Sequence, residues 1–408
     1  MSHQSQPARG NGWSVALVLT FAVLIAACHG KTIVLVTDIA HAYHVSPAHA
    51  SWVVSAVAVV AAIGSPFVNW AVAEIGERRA IAFGLVVAAF CSFAESRAND
   101  FSTLVALRVV EGVGYISVVL AALALLIHLT AGRQRTTALA FWSVASPLGG
   151  ALAIFAVSPL VGGAWRVAFS GHAIVLLALL AATPLLPDTG GARPAERRRL
   201  SQVLAIYANP SICRLAFAVG APLTVALGLV IIEPAYFVTS LGVSPAAIGL
   251  ISTVGILSSV AAGILAGYVL TRPVAGPIAV LGAAAVGLAL EILVFVPGVG
   301  APVAIAAKIG QGFFGSFVMA WVFTRIPSMS VGGDVTGAGG VAEQCLYLSM
   351  FIGPVALFPL FALPSRLPLF AVLTVAALLP LVLLPLGLPS RRARTAGEPA
   401  VDVQVRRG

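Results

Sequence analysis

The sequence predicts an all-α membrane protein of twelve transmembrane helices arranged as two parallel six-helix halves. Three observations carry that expectation: composition, the length of the apolar runs, and an order of motifs that recurs along the chain. Of 408 residues, 60% are hydrophobic and 9% charged, and the mean hydropathy is +1.03. A soluble domain carries about 25% charged residues, so this chain has too little charge to cover a water-facing surface. The charge is confined to short segments, with apolar stretches of 20 residues or more between them. A hydrocarbon core of about 30 Å needs roughly 20 such residues per helix. The stretches are too long, and alternate too little, for a transmembrane β-barrel.

The apolar runs place spans at 13–37, 48–70, 79–97, 101–129, 136–160, 167–187, 212–238, 245–271, 274–296, 300–325, 337–362 and 367–388. Charged or Gly/Pro punctuation separates them, as at Arg97-Ala98-Asn99-Asp100, Ser244-Pro245 and Arg272-Pro273. The expected organisation is a polar tail (1–12), an N-terminal bundle (13–187), a linker (188–211), a C-terminal bundle (212–388) and a second tail (389–408). The first apolar run is long enough to span and lacks a small-residue cleavage site, so it reads as a helix and not as a cleavable signal.

Orientation follows from the basic residues. With the N-terminus in the cytoplasm, 17 of the 23 Lys and Arg fall in cytoplasmic segments and 3 (Arg97, Arg166, Arg366) outside. That bias predicts both termini in the cytoplasm of a bacterial-type inner membrane and an even number of spans. The net charge of +9 does not indicate nucleic acid, because the arginines cluster at span ends; the run Arg197-Arg198-Arg199 reads as a headgroup-facing loop. The cysteines Cys28, Cys91, Cys213 and Cys345 are scattered without a C-x-x-C and read as small buried hydrophobes. Trp13, Trp52, Trp165 and Trp321 are expected near the interfaces.

The halves repeat. Val45-Ser46-Pro47-Ala48 and Val243-Ser244-Pro245-Ala246 lie 198 residues apart. Arg108-Val109-Val110-Glu111-Gly112 and Lys308-Ile309-Gly310-Gln311-Gly312 lie 200 apart, and Ser146-Pro147 and Gly353-Pro354 lie 207 apart. Three pairs in one order imply halves related by an axis along the membrane normal, which rock against each other around a midplane site.

Several of these stretches resemble a known family. Thr37-Asp38-Ile39-Ala40 through Ala50-Ser51-Trp52-Val53-Val54 is similar to the span 1–2 region of drug:proton antiporters of the major facilitator superfamily. The loop pattern G-x-L-a-D-r-x-G-R-[RK] is matched at Gly76 and Arg78, with Arg79 extending it; Asn69 stands at its first Gly and Ala73 at its Asp, with Glu74 next. Arg108 to Gly114 fits the family's basic, Gly-rich span 4, with Glu111 where Gln is common. Ser146-Pro147-Leu148-Gly149-Gly150 is a shortened form of the antiporter G-P-x-x-G-G, and Ser158-Pro159-Leu160-Val161-Gly162-Gly163 a correctly spaced one near the span end. The resemblance covers residues 13–388. It implies Glu74, Gly76 and Arg78 as a conformational latch, Pro147, Gly149, Gly150 and Pro354 as hinge and packing positions, and spans 1, 4, 7 and 10 as the cavity walls.

Ionisable groups inside the membrane are costly and mark pathways or pairs. This sequence places Lys31, Arg108 with Glu111, Glu233 and Lys308 on those four spans, each on the order of 10 Å below the outer boundary at 1.5 Å per residue. Lys31, Arg108, Glu233 and Lys308 are therefore the expected substrate-binding residues, and Glu111 and Glu233 the expected proton-coupling residues. Three cations against two carboxylates leave a surplus of one positive charge, which favours a neutral or anionic substrate over a lipophilic cation. Glu291 is expected at the outer interface, Glu343 on a second-tier helix, and Asp38 as a cap of span 1. His41, His44 and His49 read as a solvated loop, and no metal site is expected. No catalytic constellation, cofactor motif or phosphate-binding loop is present. The expected function is secondary transport of a small molecule, foremost proton-coupled efflux of a drug or metabolite, by a monomer whose other partners are the proton and the lipid bilayer. Proton-linked movement of an organic anion, with uptake among its directions, is the alternative, and a non-transporting membrane sensor a distant third.

Overall fold

In hydrocarbon every backbone N–H and C=O must be satisfied within its own segment, so long apolar runs fold as helices. The computed structural model describes residues 12–33, 35–188, 200–330, 335–361 and 363–386. Among these are twelve long helices: α1 (Gly12–Ile33), α2 (Trp52–Ile75), α3 (Glu77–Glu95), α4 (Phe101–Leu129), α5 (Gly132–Val157), α6 (Trp165–Ala182), α7 (Pro210–Thr239), α8 (Pro245–Val269), α9 (Ala275–Val294), α10 (Ala301–Met329), α11 (Val335–Phe361) and α12 (Leu367–Leu383). Ten are long and apolar enough to cross a bilayer by length and composition. The other two are α3, whose Glu77, Arg78, Arg79 and Glu95 sit at its ends, and the 17-residue α12. Side chains such as Phe155 (81% exposed) and Val382 (77%) point outward from the bundle, as they do where lipid is the solvent.

Local chemistry sets the helix ends. Asp100 caps α4: its Oδ1 accepts from the Thr103 N–H at 2.8 Å and its Oδ2 from the Thr103 hydroxyl at 2.7 Å. These bonds hold the exposed Asp100 carboxyl below its ordinary range. Asn209 caps α7 ahead of Pro210, accepting from Ser211 N–H at 2.9 Å. Gly76 joins α2 to α3 at φ 88°, ψ 150°, a conformation that excludes a Cβ.

Several expectations change. Span 1 stops at Ile33, and a separate helix, Val36–Tyr43, carries Asp38. Asp38 therefore caps nothing on α1; its Oδ2 accepts from the backbone N–H of Gly162 in the α5–α6 connection at 2.8 Å. Cys213 is exposed. Trp165 and Trp321 are buried, leaving Trp13 and Trp52 as the exposed indoles of the expected belt. Glu291 is buried, about one turn from the C-terminal end of α9. The linker contributes the short helix Leu200–Ala205 and a 3-10 turn, Ile206–Ala208. Arg197-Arg198-Arg199 and both tails, 1–11 and 387–408, lie outside the described residues.

Within each half the helices meet at small residues. A Cβ on Gly30 of α1 would lie 2.5 Å from the Gly150 carbonyl oxygen of α5, and one on Gly149 would strike the Val23 carbonyl of α1. The related contact in the C-terminal half is Gly228 of α7 against Gly353 of α11, where a Cβ on Gly228 would lie 2.7 Å from the Gly353 carbonyl. Such contacts let backbones approach closely in a membrane, where apolar packing gains nothing over lipid. Both α5 and α11 run on through Pro147 and residue 354 as continuous helices.

Between the halves, α5 packs on α8 and α10, and α11 on α2 and α4. The close contacts across this seam gather toward the end of the bundle where α1 begins. Thr137 Oγ1 donates to Gly267 O at 2.9 Å, Gly263 abuts Val144, Gly340 abuts Asn69, and Gly339 abuts Leu123. On α4, every residue from Gly114 to Ile127 is buried, whereas Val109 and Val110, toward the other end, are exposed. On α10 the buried stretch likewise falls toward its C-terminal end, from Phe317 to Met329. The gap between the halves is closed at the end bearing the start of α1 and opens toward the other.

The α1–α5 contact generates a prediction. A Cβ at Gly150 meets nothing within 4 Å, so the wedge-sensitive position is Gly149. Gly149→Ala should lower stability by about 1–3 kcal/mol through overpacking, while Gly150→Ala should stay close to the parent. Thermal melting in detergent compares them, and equal melting temperatures would mean that this contact yields easily.

Candidate functional site: a buried ionic network and a half-exposed ion pair

The N-terminal half gathers its charges toward the ends of α1, α3, α4 and α6 that lie away from the closed seam. Lys31 Nζ lies 2.8 Å from Glu111 Oε1, 2.7 Å from Ser92 Oγ, 3.0 Å from His172 Nδ1 and 3.5 Å from Glu95 Oε2. Because the ammonium can only donate, His172 Nδ1 accepts, and a neutral ring then carries its proton on Nε2. Arg108 pairs with Glu111 one helical turn away and lies 3.9 Å from Glu95 Oε2. Its other donors reach the backbone: Nε to Val53 O of α2 at 2.8 Å, and Nη2 to Cys28 O of α1 at 3.1 Å. Ser92 passes its own proton to Phe169 O at 2.8 Å, and the Phe169 ring lies 4.7 Å from Lys31 Nζ.

Arg108 and Glu111 are fully buried and Lys31 is 1% exposed. The network is therefore enclosed within the N-terminal half and ties five helices together. It contains two cations and two carboxylates. Sequence reasoning missed Glu95, because it stands at the end of span 3 beside Ser96 and Arg97 and reads there as interfacial. Its presence cancels the positive surplus counted from the sequence. One oxygen of Glu95, Oε1, is buried with no hydrogen-bond partner among the described residues.

The C-terminal half carries a simpler pair. Lys308 Nζ of α10 lies 2.5 Å from Glu233 Oε2 of α7 and 3.5 Å from Gln311 Oε1 on its own helix. The Lys308 side chain is 24% exposed, against 5% for Glu233. Buried Glu291 of α9 is within electrostatic reach of this pair. The four expected substrate residues thus form two groups, one in each half.

The expected latch residues lie at the opposite end of the bundle. Arg78, at the start of α3, pairs with Asp188, past α6, at 2.5 Å, with both side chains partly exposed. Glu74 lies in the last turn of α2, two residues before Gly76. Glu77, which sequence reasoning passed over, is buried, and its Oε1 lies 2.7 Å from His128 Nδ1 at the end of α4. Among the described residues, no group of three or more His, Cys, Asp or Glu side chains is placed to hold a metal ion.

The family model described as Major Facilitator Superfamily matches residues 15–354. The chain belongs to the major facilitator superfamily. It is accordingly a membrane transporter, and its two-halved helical fold is that of the superfamily. Its structure is similar to the human organic anion transporter MFSD10 (TETRAN), with a TM-score of 0.74 and 17% identity over 90% of this chain and 98% of that one. It is also similar to the proton:xylose symporter XylE bound to 6-bromo-6-deoxy-D-glucose, with a TM-score of 0.72 and 14% identity over 91% and 94%. At these identities the likeness shows the fold alone. No curated protein matches the transporter in sequence.

The enclosed network yields a prediction. Removing one member of a buried ion pair strands its partner, at a cost of about 3–5 kcal/mol. Lys31→Met should destabilise the transporter on that scale. Adding Glu95→Gln, which removes the surplus carboxylate, should recover part of the loss, with a coupling of about 1–3 kcal/mol in the double-mutant cycle. Additive effects on thermal melting would mean that Glu95 and Lys31 do not share one charge balance.

Proposed function

We propose that this transporter is a proton-coupled secondary carrier that exports a small drug-like molecule or metabolite by alternating access. The observation behind this reading is the seam closed at one end and open at the other. A rocking carrier passes through such a state, and a central gap then faces one side of the membrane at a time. The distribution of Lys and Arg supports termini in the cytoplasm of a bacterial-type inner membrane, and on that orientation the described state faces outward. One chain holds both halves, which favours a monomer.

The network around Glu111 is the proposed coupling element. Glu111 faces both cations of its half, and Glu95 faces them from farther away with one oxygen unpartnered. A proton taken up by this carboxyl pair unbalances the enclosed charge by one unit, and the imbalance is relieved when the half rearranges. The resemblance of spans 1–2 and 5 to drug:proton antiporters supports the efflux direction. Inverted vesicles carrying the transporter, tested across a compound panel with and without a pH gradient, examine the whole reading. Gradient-driven accumulation of a compound is expected, and transport indifferent to the gradient would defeat the coupling. Glu111→Gln and Glu95→Gln should each abolish pH-driven transport while substrate binding survives. Full pH-driven transport by both would remove the network from the mechanism.

Movement of a small organic anion is the second reading, and Lys308 favours it. Of the three cations inside the spans, it alone keeps appreciable exposed surface. A proton on Glu233 would free its ammonium for a carboxylate on the substrate. The similarity in fold to an organic anion transporter is consistent with this reading. Lys308→Met should then weaken binding of a carboxylate-bearing ligand by about tenfold or more, the scale of one lost charged hydrogen bond, and leave a neutral analogue unaffected. Equal effects on both ligands would exclude Lys308 as an anion hook.

A further inference from the structure

Glu343 is a carboxylate that neither the ionic network nor the Lys308 pair uses. It lies on α11 and is buried, and its Oε1 accepts from the indole Nε1 of Trp142 on α5 at 2.8 Å. Its donor therefore comes from the other half of the molecule. The adjacent residue and the next turn of α11 also bond across the seam. Gln344 Nε2 donates to Ala62 O of α2 at 2.7 Å while its Oε1 accepts from Tyr207 at 2.6 Å, and Tyr347 donates to the Tyr115 hydroxyl of α4 at 2.8 Å. One face of α11 thus supplies the polar closure of the end at which the halves meet.

No cation pairs with Glu343 among the described residues. The titratable groups within electrostatic reach of it are Tyr115 from α4 and Tyr347 on its own helix, and the His29 ring of α1 packs behind them, 4.6 Å from that of Tyr115. From α5 it meets the uncharged Trp142, and the Gln344 amide and Asn69 stand toward α2. An ionised carboxylate enclosed with one neutral donor lacks the compensation that a buried charge requires, so the closed seam favours the protonated acid. When the halves part at this end, water solvates the group and favours the carboxylate.

We propose that Glu343 is a proton-binding site of the gate: closing the seam at this end takes up one proton from that side of the membrane, and opening it releases the proton there. The proposal rests on the alternating-access reading above and adds to it a second titrating position, in the C-terminal half. It also gives Trp142 a positioning role, holding the acid against α5 while the seam is shut.

The sign follows from linkage. The closed state has the raised proton affinity, so closure is favoured at low pH on that side and lost as pH rises. Because one proton is exchanged, the ratio of open to closed seam rises by at most about tenfold per pH unit. Spin labels at Arg133→Cys, in the first turn of α5, and Arg272→Cys, just past α8, span the seam from exposed positions, with Cys213 and Cys345 replaced by serine. Distances between the labels are measured on the full-length purified transporter at about pH 5.5 and about pH 8.5, a range wide enough to show one-proton linkage. The parent background should shift toward the longer distance at the higher pH. Glu343→Gln, which keeps the acceptor and removes the charge, should stay at the short distance at both. His29→Gln should respond as the parent does. A parent distribution unchanged by pH, a Glu343→Gln variant that still shifts, or loss of the shift in His29→Gln would each overturn the assignment. The measurement uses neither substrate nor gradient, so it can fail while pH-driven transport stands, and transport blind to a pH gradient leaves its outcome unaffected.

Discussion

A charge enclosed in hydrocarbon must find its counter-charge inside the protein, and the N-terminal half of this transporter is organised by that requirement. Arg108 alone reaches a carboxylate on its own helix and backbone carbonyls on α1 and α2. Lys31 donates to acceptors on α3, α4 and α6. Taking these groups out of water is expensive, and their mutual attraction offsets the cost only when the geometry is good. The helices that carry them are therefore fixed relative to one another more firmly than apolar packing in lipid would fix them. A half tied together in this way is suited to move as a body, as the proposed rocking requires.

The two halves have diverged around one motif. Arg108 and Glu111 correspond in position to Lys308 and Gln311, each pair one helical turn apart. In the first half the pair is wholly buried and recruits a second carboxylate and a histidine. In the second, an amide replaces the acid, the lysine pairs with Glu233 of α7, and part of its side chain stays accessible. A rigid charged unit thus faces a half whose cation is still available to a ligand.

Closure of the seam depends on side chains of a different kind. Glycines at 263, 339 and 340 bring the halves close enough for short polar contacts. The bonds that then form, from Trp142, Gln344 and Tyr347, involve neutral donors and can break without stranding an ion pair. Glu343 is the exception, because its charge state changes with its solvation. The ionic network gives rigidity within a half, and neutral contacts with one titratable acid give reversibility between halves.

The number of helices, their order and their approximate limits were legible in the sequence, because lipid imposes one rule on every span: a run of apolar residues long enough to cross, with charge at its ends. The pairing of Arg108 with Glu111 was also legible, since it follows from helical spacing. Partners that depend on which helices become neighbours were not. Glu95 reads as interfacial until α3 packs beside α4 and brings it to Lys31, and Glu343 reads as second-tier until the Trp142 side chain of α5 reaches it across the seam. Gly149 and Gly150 are indistinguishable in sequence, yet only Gly149 points its missing Cβ at a carbonyl of α1. By itself the sequence determined where charge enters the membrane. Which charges meet, and whether they lie within a half or across the seam, was decided only by tertiary packing, because these contacts join residues as far apart in sequence as Lys31 and Glu111 (80 positions) or Trp142 and Glu343 (201) and depend on the rotation of each helix about its axis.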